Sequence, residues 1–229
     1  MAKTAIIDDM INLSYLKYPE RVANSMIIDR KGARKANMAA QPQRFTHAST
    51  CALLLEKMTD DYEIISVAVS REMEEGDCLQ KAFRLCGELG ADIAEVSFGD
   101  SLFGGQPILG DAVRKLSESG CVIMAPMPRM GGLRACKNII GVQCDRYGLM
   151  RPGEYVFDRL GPSAAKVTVN CNFLIRGNEC GRSASFSAAA VAARINRYIN
   201  EGIKAFDDIL YCLKKDESGK YRAVLTLME

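Results

Sequence analysis

Thr46-His47-Ala48-Ser49-Thr50-Cys51-Ala52-Leu53-Leu54-Leu55 carries the only histidine of the chain, at the point where a loop enters an apolar helix. Upstream, Ala5-Ile6-Ile7-Asp8-Asp9 reads as a buried strand that ends in acid. Downstream, Ser183-Ala184-Ser185-Phe186-Ser187-Ala188-Ala189-Ala190-Val191-Ala192 reads as serines opening an alanine-rich helix. Acid, histidine and serine follow one another in the order in which one of the convergent catalytic triads is threaded, and such a constellation is recognised by the roles its members can play. Those residue types in that order point to nucleophilic chemistry at a serine hydroxyl.

Composition bounds the answer. The chain has 229 residues, 48% of them hydrophobic, with no low-complexity stretch and no internal repeat, which predicts one domain over 1–229. Its formal net charge of +2 leaves no electrostatic footprint for nucleic acid or for an anionic membrane. The basic run Arg30-Lys31-Gly32-Ala33-Arg34-Lys35 is read as solvated loop. Nine cysteines are odd in number, irregularly spaced and include no Cys-x-x-Cys pair, so they read as buried thiols; neither zinc nor a disulfide framework is expected. With no apolar leader or membrane-length segment, the expectation is a cytoplasmic protein that acts on neither nucleic acid nor membrane.

Strand-like runs alternate with amphipathic ones, the pattern of an α/β layer structure with a mainly parallel sheet. Strands are expected at Ala5 to Ile7, Glu63 to Val69, Ile93 to Ser97, Val122 to Ala125, Asn138 to Gln143 and Lys166 to Val169. Helices are expected at Ser49 to Met58, Cys78 to Leu89, Gly110 to Ser119 and Phe186 to Asn200. Tyr18 to Thr46 and Ser101 to Pro107 read as long loops. The stretch 203–229 reads as a C-terminal extension containing a hairpin, because Ile209 to Leu213 and Tyr221 to Leu225 flank Asp216-Glu217-Ser218-Gly219.

The succession of motifs from about Thr4 to Gly202 resembles the subtilisin-like serine proteases (subtilases). Asp8 takes the aspartate position of their strand and Asp-Ser/Thr-Gly turn. Thr46-His47-Ala48-Ser49 is similar to their Asn-His-Gly-Thr. Gly90 to Gly99 is similar to the helix end, strand and Ser-Leu-Gly stretch that pairs with substrate, and Ser185-Phe186-Ser187-Ala188 to the nucleophile helix. The resemblance implies a three-layer α/β fold with helices on both faces of the sheet, endopeptidase activity on a peptide or protein substrate, no cofactor and no metal in the chemistry. It implies Asp8, His47 and Ser185 as triad, and Ser97, Phe98 and Gly99 as the edge that takes an extended peptide. Departures are Met10, Ala48, Ala184 and Ala189 in place of two glycines, a threonine and a proline. Met127-Pro128-Arg129 stands where the family has Ala-Gly-Asn, which makes Arg129 the oxyanion candidate, with Asn138 and Asn178 as other amides.

A serine hydroxyl becomes nucleophilic when a base takes its proton, and an imidazole whose tautomer is fixed by a carboxylate does this near neutral pH. Plainer readings stand beside each assignment: an Asx turn for Asp8, with Asp9 an equal acid; a surface histidine for His47; and an N-cap for either Ser183 or Ser185, Ser183 competing as nucleophile. The spacing to Val191-Ala192 favours Ser185. Processing of a dedicated peptide or precursor is one expectation. A catalytically impaired fold that binds peptides is the other, motivated by Arg129. An unrelated doubly wound domain is opposed by the lack of a Gly-x-Gly-x-x-Gly or P-loop pattern.

Overall fold

The computed structural model describes residues 1–37, 44–70, 75–97, 109–126, 137–161, 164–172, 174–175, 178–179 and 183–216. Strands β1 (Ala2–Asp8), β4 (Tyr62–Val69), β5 (Ile93–Val96), β6 (Val122–Pro126), β7 (Ile139–Cys144) and β9 (Ala164–Val169) form the parallel body of a nine-stranded sheet. Runs of Ile, Val and Ala buried on both faces make these strands continuous in hydrophobicity, as parallel strands covered on two sides must be. β2 (Val22–Asp29) adds a further parallel strand beside β4. Antiparallel strands close the edges: β3 (Gly32–Lys35) on β2 and β8 (Tyr155–Arg159) on β9. The spatial order is β3-β2-β4-β1-β5-β6-β7-β9-β8. A two-residue pair, β10 (Leu174–Ile175) and β11 (Asn178–Glu179), stands apart from the sheet.

Helices α2 (Glu75–Glu88) and α3 (Leu109–Glu118) cover one face, packing Leu79, Phe83, Cys86 and Leu116 against Ile7, Val67, Val96 and Ile123. Helices α1 (His47–Met58) and α4 (Ala184–Asn200) cover the other face. There Ala48, Cys51 and Ala52 meet Ala189, Ala190 and Ala193 over Ile6 and Ile64. The alanines are what let two helices lie close over the same strands. Far from the site, Asn196 of α4 is fully buried; its amide donates to the Ala2 carbonyl and to Thr4 Oγ1, while Asn200 Oδ1 accepts from the Ala2 N–H. Helix α4 is thus pinned to the start of β1.

Two sequence expectations are corrected. Tyr18 to Thr46 is not all loop: it contains β2 and β3, whose connection has Asp29 Oδ1 accepting from the Lys31 N–H and Gly32 at φ +125°, a conformation only glycine adopts freely. The basic run is that turn and an edge strand, where lysine and arginine discourage further pairing. The segment read as the first hairpin arm is helix α5 (Phe206–Asp216). Ile209, Leu210 and Leu213 recur at helical spacing and are buried on the sheet, with Asp207 and Asp208 in the first turn and Lys214 and Lys215 in the last. The second arm lies outside the described residues, as do Phe98, Gly99, Arg129 and the loop Ser101 to Pro107.

Candidate active site

From β1 the chain builds the sheet in one direction through β4, then crosses back to place β5 on the other side of β1. The carboxyl ends of β1 and β5 therefore flank a topological switch point, where open α/β sheets place their ligands. Asp8 ends β1 and Ser97 follows β5; the Ser97 N–H donates to the Ile7 carbonyl at 3.1 Å, tying the two strand ends together. Both α1 and α4 begin at this end, bringing His47 and Ser185 to it.

Asp8 is 8% exposed, and its Oδ2 lies 2.5 Å from His47 Nδ1. Its Oδ1 accepts from the Asp9 N–H at 2.7 Å. Asp9 faces the helix instead. Its Oδ1 accepts from the Ala48 N–H at 2.9 Å and its Oδ2 from the His47 N–H at 3.4 Å, so the carboxylate sits on the N-terminus of α1. Thr46 is the N-cap, its Oγ1 accepting from the Ser49 N–H at 3.1 Å, and Ser49 Oγ in turn accepts from the Asn12 N–H at 2.9 Å. The adjacent acids thus divide the work, Asp8 on the imidazole and Asp9 on the backbone that carries it. Burial opposes the imidazolium, but the hydrogen bond and charge of Asp8, with Asp9 behind it, outweigh burial and raise the His47 pKa above its ordinary value.

Phe186 stacks on the His47 ring, centroids 4.6 Å apart and planes 25° apart. This places the first turn of α4 against the imidazole. Ser185, one residue earlier and half-buried, has its Oγ 3.4 Å from the Ser97 carbonyl, to which it donates. Ser183 occupies the N-cap position of α4 without a side-chain capping bond; its carbonyl instead accepts from Cys171 Sγ and from the Ser187 N–H. Asn138 is at the opposite end of the sheet, before β7 at φ 55°, where its amide donates to the Ser117 carbonyl; that removes it as an oxyanion donor.

Three residues are not assigned their roles by the sequence alone. Asp9 reads there only as a rival to Asp8, because the helix N-terminus it meets begins 38 residues further along the chain. Phe186 stands in the sequence only as part of the Ser185-Phe186-Ser187-Ala188 motif, and its stacking on His47 is a finding of the structure. Glu95, an acid inside the apolar run Ile93-Ala94-Glu95-Val96, is 0% exposed beneath the site; Ser97 Oγ donates to its Oε1 at 2.8 Å, and Cys51 Sγ lies 3.6 Å from the same hydroxyl. Asp8, His47 and Cys51 offer ligand atoms within 4.8 Å of one another, the geometry of a small metal cluster. Burial, reinforced by the charge of Asp8, holds the Cys51 thiol well above its ordinary pKa, which disfavours the thiolate that a metal would need.

No protein-family model matches the sequence and no curated protein matches it. Solved structures do. The chain is similar to sphericase, with a TM-score of 0.59 and 11% identity over 94% of this chain and 84% of that one. It is similar to the prenylagaramide maturation protease PagA, with a TM-score of 0.56 and 11% identity over 100% and 94% of the two chains. The PatG macrocyclase in complex with peptide gives 0.56 and 14% identity over 94% and 82%. The fold is that of the subtilisin-like proteases, an α/β sheet of mostly parallel strands with helices on both faces. Among the described residues no helix is long and apolar enough to cross a membrane.

Proposed function

We propose that this chain is a serine endopeptidase in which Ser185 attacks the peptide carbonyl, His47 takes its proton and Asp8 holds the imidazole. The observation that carries the reading is the 2.5 Å contact of Asp8 Oδ2 with His47 Nδ1, at a strand end facing the nucleophile helix. With Nδ1–H given to Asp8, Nε2 is left as the acceptor, the tautomer a general base requires. The Ser185 N–H at the head of α4 stands where a helix dipole stabilises a developing oxyanion, and Arg129 is the candidate for a second donor. Ser97, with Phe98 and Gly99, is the candidate edge for an extended peptide substrate.

Maturation of a dedicated peptide or precursor is the substrate class we favour, since structural neighbours include a lanthipeptide protease and a prenylagaramide maturation protease. Cys51, Cys86 and Cys121 are buried in the apolar core as thiols, which supports a reducing, cytoplasmic setting. Non-catalytic peptide binding is the second reading, favoured by one observation: the Ser185 hydroxyl is directed to the Ser97 carbonyl. A fluorophosphonate probe separates the two, because only an activated serine is labelled. Labelling that maps to Ser185 and disappears in His47→Ala supports the hydrolase. An unlabelled, folded protein that still binds peptide overturns it.

A further inference from the structure

Glu95 belongs to a strand whose four residues are all buried, and no part of it reaches solvent. Strand alternation sends its side chain to the α1/α4 face, in one cross-strand row with Ile6 of β1 and Met124 of β6. Asp8 lies two residues beyond Ile6, on the same face. As a carboxylate, Glu95 would be held by the Ser97 hydroxyl alone, with Oε2 buried and bare of any partner. The titratable groups facing it are Asp8 from β1 and Cys51 from α1; β6 presents Met124, and Ala184 to Ala193 of α4 contain nothing that titrates. Among the described residues there, His47 alone can carry a positive charge, and its Nδ1 is engaged by Asp8.

A buried anion beside another anion, with one oxygen unpaired, is strongly disfavoured against its protonated form. Protonation also removes the charge from the unpaired oxygen while keeping the bond to Ser97. The carboxyl O–H donates across the same 2.8 Å to Ser97 Oγ, the Ser97 O–H turns toward Cys51 Sγ at 3.6 Å, and Oε2 becomes a neutral carbonyl oxygen. The Ser97 carbonyl is in turn the group on which the Ser185 hydroxyl rests.

We propose that Glu95 is a positioning residue acting as an uncharged acid: it fixes Ser97 and, through the Ser97 carbonyl, the resting place of the Ser185 hydroxyl, without adding a second anion beside Asp8 and His47. The proposal rests on the hydrolase reading of Ser185. Burial, reinforced by Asp8 and opposed by the Ser97 hydrogen bond, holds this carboxyl well above the usual carboxylate range.

Three variants test it. Infrared difference spectra at neutral pH should show a protonated-carboxyl band in the native chain that Glu95→Gln removes. Fluorophosphonate labelling should stay within about 3-fold in Glu95→Gln, which keeps a neutral hydrogen-bonding group. It should slow about 10-fold or more in Glu95→Leu, which keeps volume and loses the bond. Ser97→Ala should match Glu95→Leu, and the double variant should be no slower than either single one. Absence of the band, or native labelling rates in Glu95→Leu, overturns the proposal. If the native protein is not labelled at all, the hydrolase reading falls separately. The infrared band and the Cε1 proton resonance of His47, the one histidine, then decide for Glu95: the native chain shows the band, and the resonance is displaced in Glu95→Leu but not in Glu95→Gln, or the proposal falls too.

Discussion

His47 enters the site on a helix whose first turn is gripped by Thr46, Asp9 and Ser49, whereas Ser185 enters on a helix whose N-cap residue, Ser183, makes no side-chain capping bond. The imidazole is held on one side by Asp8 and on one face by Phe186. The serine hydroxyl has a single described contact, a 3.4 Å bond to a carbonyl. The contrast shows which part of the chemistry is preorganised. On the proposed reading, orientation of the base is built into the folded state, while the Ser185 hydroxyl must leave the Ser97 carbonyl before it can give its proton to His47.

The comparison is broken most severely by removing either partner of that transfer. Ser185→Ala or His47→Ala should lower kcat on the order of 10⁶-fold, the scale seen when triad members acting as a unit are lost. Retained labelling in Ser185→Ala that vanishes in Ser183→Ala would transfer the nucleophile's role. Asp8→Asn should cost about 10⁴-fold in kcat, because an amide fixes the wrong tautomer while leaving the shape intact.

A smaller effect lies in the pH profile. The base works as neutral imidazole, so kcat/KM should rise with pH through a midpoint above 6.5, the raised pKa of His47. Asp8→Asn should bring the midpoint down in the residual activity or in an NMR titration of this single histidine. The stability sign is opposite. A raised folded pKa means that the Asp8–His47 ion pair contributes its full stabilisation below the unfolded value of 6.5 and loses it as pH climbs through the folded one. On the proposed hydrolase reading, the working protonation state of His47 is therefore the one that the site stabilises less.

Smallest are the two caps. Thr46→Ala should cost about 1 kcal/mol in urea unfolding, since it removes a bond to the Ser49 N–H. Ser183→Ala should stay within roughly 0.5 kcal/mol, because its side chain caps nothing. Equal losses in the two variants would erase the asymmetry described above.

The parallel core was legible because doubly covered strands are long apolar runs and the helices between them end at glycines such as Gly90 and Gly120, both at positive φ. The edges were not. The outermost strand β3 is basic, and β2 beside it carries Asn24 and Ser25, since strands at the rim of the sheet need no continuous hydrophobic signature. In α5 the run from Ile209 to Leu213 is too short for periodicity to separate strand from helix. At the site, Asp8 and His47 could be named because their motifs place them at element ends. The roles of Asp9 and Glu95 could not, because capping and buried pairing depend on which strand ends the topology sets side by side, information carried by no local stretch.

The bond from Asn196 to Ala2 and Thr4 joins positions nearly two hundred residues apart, and Asp8 and Ser185 lie on the same two elements. During synthesis β1 leaves the ribosome long before α4 and cannot meet it until everything between them has followed. Contacts of such long separation close late, after local helices and neighbouring strands have formed. The acid and the serine are therefore strangers in every shorter nascent chain, and one arrested before Asn196 lacks the clamp that aligns them. Whatever chemistry the site performs is withheld until α4 has been made.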